Sequence, residues 1–237
     1  MKDELANLLC PNSYKFLDTT PPASADPIPG QIVLAHTVYP PNAPWIVKVI
    51  NYDPLNPSRS QYEIKQYSQT DRSHMPIKEL ELRADENYYV YIGKERPLVV
   101  VKGIGSHWRN PLRPENVFAC VPVFSYKPRH STEFRDKVMG FCYSNLFYLP
   151  SDGNGLPEDS AARFELMQPI PRRSMHNIFK GSPSRPIALS DEAFALFVNH
   201  LGRFLASRDL DSGICQGIDA YRSLVEEALR EQGGKDQ

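Results

Sequence analysis

Short runs rich in β-branched and aromatic residues, broken by Pro, Gly and Asn, recur along the first two thirds of the chain. Such side chains suit a pleated, half-buried surface, so the runs predict strands at Gln31–Val38, Trp45–Asn51, Gln61–Tyr67, Tyr88–Ile92, Leu98–Lys102, Asn116–Phe124, Val138–Leu149 and Ala161–Met167. No helical pattern alternates with them, which points to an antiparallel sheet and not to βαβ units. The period changes late. After Ser190, a good N-cap followed by Asp191 and Glu192, the apolar residues Phe194, Phe197, Val198, Leu201, Phe204 and Leu205 follow helical spacing. A second stripe carries Ile214, Ile218, Tyr221, Val225 and Leu229. The expected fold is mainly β, a small curled barrel with C-terminal helices packed on or beside it, α+β as a whole.

Proline sets the boundaries. Twenty-two prolines in 237 residues mark the loops, and the stretch Thr19 to Pro29 is too proline-rich for regular structure. Residues 1–28 therefore read as an arm and linker, and the polar end Glu231–Gln237 as a frayed tail. The longest apolar runs fall far short of the roughly 20 residues a membrane helix needs. The start, Met1-Lys2-Asp3-Glu4-Leu5, has no long apolar core of a secretory signal. A cytoplasmic protein without membrane partners is expected. Cys10, Cys120, Cys142 and Cys215 are scattered without a paired spacing, which argues against a zinc site and a disulfide framework. Cys120 and Cys142 are expected as small core residues within strands. Twenty-seven basic and 28 acidic residues leave a net charge of −1, so a nucleic-acid partner has to be met by a local patch.

Candidate chemistry centres on Arg163-Phe164-Glu165. On a strand, Arg163 and Glu165 would project from one face while Phe164 points into a core. A carboxylate can take the proton of an attacking hydroxyl, and a guanidinium fork can hold phosphate oxygens as charge develops, which is the minimum for phosphodiester chemistry without a metal or cofactor. The plainer alternative is a solvated pair on an edge strand. The basic loops holding Lys127, Arg129 and His130, and Arg172 and Arg173, are candidate phosphate contacts, and Tyr126, Tyr143, Phe147 and Tyr148 are candidate stacking faces or core. His36 could face the sheet, whereas His74, His107, His176 and His200 show no metal spacing. Gly103-Ile104-Gly105-Ser106 lacks the Gly-Lys-Ser/Thr of a phosphate loop, and there is no Gly-x-Ser-x-Gly elbow.

Five motifs in order resemble those of the PemK/MazF (Kid-like) toxin endoribonucleases. They are Pro29-Gly30-Gln31-Ile32-Val33-Leu34, Arg96-Pro97-Leu98-Val99-Val100-Val101, Val121-Pro122-Val123-Phe124-Ser125, Gly140-Phe141 with Asp152-Gly153, and Arg163-Phe164-Glu165 ahead of Pro169-Ile170-Pro171. The resemblance implies an SH3-like or CcdB-like barrel over residues 29–209, interrupted by an inserted segment 40–94 and followed by a C-terminal helix and tail, 210–237. It further implies cleavage of single-stranded RNA by its own 2′-hydroxyl, with Glu165 as base, Arg163 stabilising charge, and Arg96 and Ser125 near the same phosphate. An antitoxin protein and a homodimeric partner follow from the same likeness. The chain departs from the family in three places. Phe124 stands where the family keeps a Thr, the loop histidine has no counterpart, and Thr-Ile-Asp has become Pro-Ile-Pro. A barrel that lost the chemistry and kept a protein- or nucleic-acid-binding role is the alternative.

Overall fold

The computed structural model describes residues 13–17, 25–39, 45–51, 53, 55–59, 61–66, 89–90, 92–106, 116–151, 153, 155–180, 185–206 and 209–233. Cys10, His74, His107 and Asp152 lie outside them. Among the described residues the elements follow in order: β1 (Tyr14–Phe16), β2 (Ile32–Tyr39), β3 (Trp45–Asn51), β4 (Gln61–Gln66), β5 (Tyr89–Val90), β6 (Ile92–Ser106), β7 (Asn116–Ser125), α1 (Thr132–Met139), β8 (Leu146–Leu149), β9 (Ser160–Arg163), β10 (Gln168–Pro171), β11 (His176–Asn177), β12 (Phe179–Lys180), β13 (Arg185–Leu189), α2 (Asp191–Ala206) and α3 (Ser212–Gly233).

The fold is α+β with mainly antiparallel sheets. The largest sheet runs β11-β2-β6-β7-β9-β8, with β10 also on β7, and among the described residues it is an open path and not a closed barrel. A second sheet is β1-β13-β12 and a third β4-β3-β5. The described residues form two compact units, one from positions up to His36 and from Glu95 onwards, the other Thr37–Lys94. In the second unit β3 pairs antiparallel with β4 and β5, and the Thr37 hydroxyl donates to the Lys94 carbonyl at 2.9 Å.

Alternation along β6 and β7 buries both faces of the first unit's sheet, which is why Leu98 to Val101 is a continuous apolar run. Val99, Val121 and Val123 join Ile32, Phe147, Phe164, Phe197, Leu201, Ile218 and Tyr221 in the main core, against α2 and α3. Leu98, Val100 and Cys120 face the other way, onto Val33, Ala35, Phe118, Ile170 and Met175. Each fully buried Leu or Phe removes enough apolar surface to contribute about 1.5–3 kcal/mol. A third cluster packs Tyr126, Phe134, Tyr143 and Tyr148 around Val138, Leu146 and Ala161. With Phe147 in the main core, the aromatics considered as stacking faces are engaged in packing.

Three expectations are corrected. The strand expected over Val138–Leu149 is replaced by α1, a turn and β8. Ser131 caps α1 by accepting the Phe134 N–H at 3.1 Å, and Glu133 pairs with Lys137 one turn on. Cys142 consequently lies in the turn after the helix, half-buried, and Gly140-Phe141 ends a helix instead of forming a strand. The strand expected over Ala161–Met167 stops at Arg163, and Phe164–Leu166 form a 3-10 turn. The N-terminal arm is also docked at its far end. Tyr14 of β1 is buried in the main core, pairs in register with Leu189, and donates its hydroxyl to the Pro150 carbonyl at 2.8 Å. Its ring lies so close to Gly155 that an added Cβ there would come within 2.3 Å of it.

Candidate functional site

Three strands bring the candidate residues together. The β6–β7 register, Leu98 opposite Pro122, sets Arg96 across from Phe124, and the β7–β9 register sets Phe124 opposite Ala161, two residues before Arg163. Alternation sends Arg96, Phe124 and Arg163 to one face. The Arg96 guanidinium carbon lies 4.2 Å from the Phe124 ring centroid and that of Arg163 lies 5.1 Å from it. A cation at this distance gains about 0.5–1 kcal/mol at an exposed site and about 2 kcal/mol when desolvated. The gain works against the mutual repulsion of two guanidiniums.

Glu165 reaches the same place through the 3-10 turn. Between Val123 and Cys120 the β7 chain advances three residues, whereas its neighbour advances six, from Ala162 to Gln168. The three extra residues are Phe164–Leu166, and they leave the ladder beside Pro122, which brings no N–H to it. Phe164 turns inward, its N–H donating to Asn145 and its ring against Phe197, His200 and Phe204. Arg163 and Glu165 flank it on the outside. Arg163 Nε and Nη2 both donate to Glu165 Oε1, at 2.7 and 2.5 Å. A regular strand holds i and i+2 about 6.6 Å apart, so it is the turn that closes the pair. The pair stays accessible, with side chains 41% and 29% exposed.

The other candidates sit elsewhere. Ser125 pairs with Ser160 and by alternation turns away from the Phe124 face. Lys127 and Arg129 are exposed in the turn that leaves β7, which the Lys127 N–H closes onto His130 Nδ1 at 3.2 Å. The His130 ring packs on Tyr126 and Phe134. Arg172 donates from Nε to the Ala25 carbonyl at 2.7 Å and from Nη1 to Met175 at 3.3 Å, so it ties the linker to the body of the fold. Arg172 and the exposed Arg173 follow Pro171, which pairs with Val117, seven residues along β7 from Phe124 or roughly 20 Å. His36 is exposed on β2. Among the described residues no group of three His, Cys, Asp or Glu could hold a metal.

Two contributors were not legible in the sequence. Phe124, which in the sequence is only an apolar residue near the end of a strand, is the ring on which both arginines lie. His200 is buried behind Phe164, with Nε2 3.0 Å from the Tyr143 carbonyl and 3.1 Å from that of Leu146, while Nδ1 is buried without a hydrogen-bond partner. Nε2 carries the proton in that geometry, and burial pushes the imidazole below its ordinary value of 6.5. His200 thus fixes the turn into β8 as a neutral core residue. Fold and site together define an open antiparallel α+β domain carrying a surface cluster of two guanidiniums, one carboxylate and one aromatic ring. No family model, curated protein or solved structure matches the chain.

Proposed function

We propose that the protein is a metal-independent endoribonuclease of the PemK/MazF toxin type, acting on single-stranded RNA. The observation that supports this is the convergence, on one accessible face, of Arg96, Arg163 and Glu165 from two strands and a turn. A phosphodiester bound over Arg96 and Arg163 places a ribose 2′-hydroxyl beside Glu165, whose Oε1 is held by Arg163 and whose Oε2 takes the proton. The 2′-oxygen attacks its own phosphorus, the bond to the 5′-oxygen breaks, and that oxygen takes a proton from water and leaves as a 5′-hydroxyl, giving a 2′,3′-cyclic phosphate, while Glu165 returns its proton to the solvent. The nucleophile is already tethered to the phosphate, which supplies much of the advantage another enzyme takes from positioning two reactants. The guanidiniums stabilise the charge that grows on the phosphoryl oxygens. Lys127 and Arg129 extend the phosphate contacts from the end of β7. An SH3-like ancestry, a cytoplasmic setting, an antitoxin and a homodimer belong to the same proposal.

A second reading is favoured by Phe124, whose ring fills the space beside both guanidiniums, and by the closed Arg163–Glu165 pair: a barrel-derived module that binds nucleic acid without cutting it. One experiment separates the two. The parent, Glu165→Gln and Arg163→Ala are incubated with mixed single-stranded RNA in excess chelator, and products are tested for cyclic phosphate ends. The parent cleaves, and each variant loses about two to four decades in rate, Glu165→Gln with RNA binding retained and Arg163→Ala with binding weakened. Binding without cleavage by the parent supports the second reading, and unchanged cleavage by both variants removes the assignment.

A further inference from the structure

We infer that Phe124 is a positioning residue: its ring holds Arg96 and Arg163 together as one clamp for an internal phosphodiester of a single-stranded nucleic acid. This rests on the phosphodiester reading of the site and gives it a component of different chemistry. The two arginines come from β6 and β9, strands that do not touch, and β7 lies between them. Phe124 on that middle strand is half-buried, and both guanidinium carbons lie within 5.1 Å of its ring centroid. Two like charges on long side chains repel each other, so drawing them together needs an attraction common to both. The ring's negative face attracts both, so the cations stand gathered before the anion arrives, and less side-chain freedom is lost on binding. Glu165 adds a hold on Arg163, through Nε and Nη2. What the ring gathers is a pair of guanidiniums, whose planar N–H forks match phosphate oxygens. The clamp therefore recognises the sugar-phosphate chain and leaves base preference to other residues.

The test compares the full-length parent with Phe124→Leu and Phe124→Tyr. In nuclear magnetic resonance spectra, with assignments from Arg96→Lys and Arg163→Lys, the side-chain Nε–H signals of both arginines are displaced by the ring in the parent and in Phe124→Tyr. They return to ordinary arginine positions in Phe124→Leu. Affinity for a short 2′-O-methyl single-stranded RNA, which cannot react by the 2′-hydroxyl, is read by fluorescence anisotropy at fixed salt. It falls about tenfold in Phe124→Leu and is restored in Phe124→Tyr. Adding Phe124→Leu to Arg96→Ala costs less than the product of the separate losses. Undisplaced arginine signals in the parent, parental affinity in Phe124→Leu, failure of Phe124→Tyr to rescue, or no binding by the parent each overturns the inference. A parent that binds with this pattern but does not cleave RNA removes the endoribonuclease reading and leaves the clamp standing.

Discussion

At the C-terminus of α1, Gly140 and Phe141 divide a task that one glycine usually performs. The Cys142 N–H bonds to Lys137 at 2.9 Å and the Phe141 N–H to Val138 at 3.1 Å, the Schellman pattern, in which the left-handed position normally belongs to Gly. Here Phe141 takes it, with φ of 56°, because its ring is needed against Phe147, His200 and Tyr221. Gly140, with φ of −80°, is small for a different reason: an added Cβ would come within 2.7 Å of Val225 on α3. Gly140→Ala is thus expected to destabilise by about 1–3 kcal/mol through overpacking. Urea unfolding checks this, and Val225→Ala in the same chain should recover part of the loss. Phe141→Gly relieves about 1–2 kcal/mol of left-handed strain but gives up a buried aromatic worth about 3–5 kcal/mol, so the variant unfolds at lower urea. At this scale the sequence displayed the Gly-Phe pair and the Arg-Phe-Glu triplet plainly. What it could not display was which neighbour presses on each.

The elements were legible where period and environment agree. β3 runs over Trp45–Asn51 as its β-branched and aromatic content predicts, and α2 and α3 carry their apolar stripes into the core apart from Leu205, which is exposed. The run Val138–Leu149 reads as one strand because Phe141, Tyr143, Phe147 and Tyr148 give a β-like aromatic density across a helix end, a turn and a strand. The 3-10 turn at Phe164–Leu166 has another origin: it occupies the residues that fall outside the ladder between the β7–β9 and β7–β10 pairings, a tertiary register with no local trace. The expected outward placement of Arg163 and Glu165 was obtained by a turn in place of a pleat. Arg203 shows how the late helices are joined. It donates to Asp209 at 2.7 Å and, by a two-pronged contact of 2.7 and 2.8 Å, to Asp219 on α3. The aspartates are half-exposed, which limits the energy of the contact. Arg203→Ala is expected to lower the melting temperature by about 2–4 °C, and Arg203→Lys, without the planar fork, to recover little of it. Calorimetry of the three proteins reads both effects.

For the molecule as a unit, the buried neutral His200 makes stability depend on pH. Its folded value is depressed below 6.5, so around and below that pH the unfolded chain binds a proton that the folded chain refuses. The contribution is complete above the unfolded value and is lost as pH falls towards the folded one, at up to about 1.4 kcal/mol per pH unit. Urea midpoints measured at about pH 8 and about pH 5 should therefore fall with acid, and the fall should be smaller in His200→Gln. Equal pH dependence in the two proteins would assign the effect to other groups.

The pairing of β1 with β13 bears on how the chain matures. Tyr14 meets Leu189, and Phe16 meets Ile187, so the partners of one short sheet are 171 to 175 residues apart in the chain. At bacterial or eukaryotic elongation rates the wait between them is roughly ten to thirty seconds. During that time Tyr14 and Phe16 travel as an unsatisfied apolar strand, and contacts of such long sequence separation form slowly. The interval is one in which a ribosome-associated chaperone has both a reason and an opportunity to hold the nascent N-terminal segment.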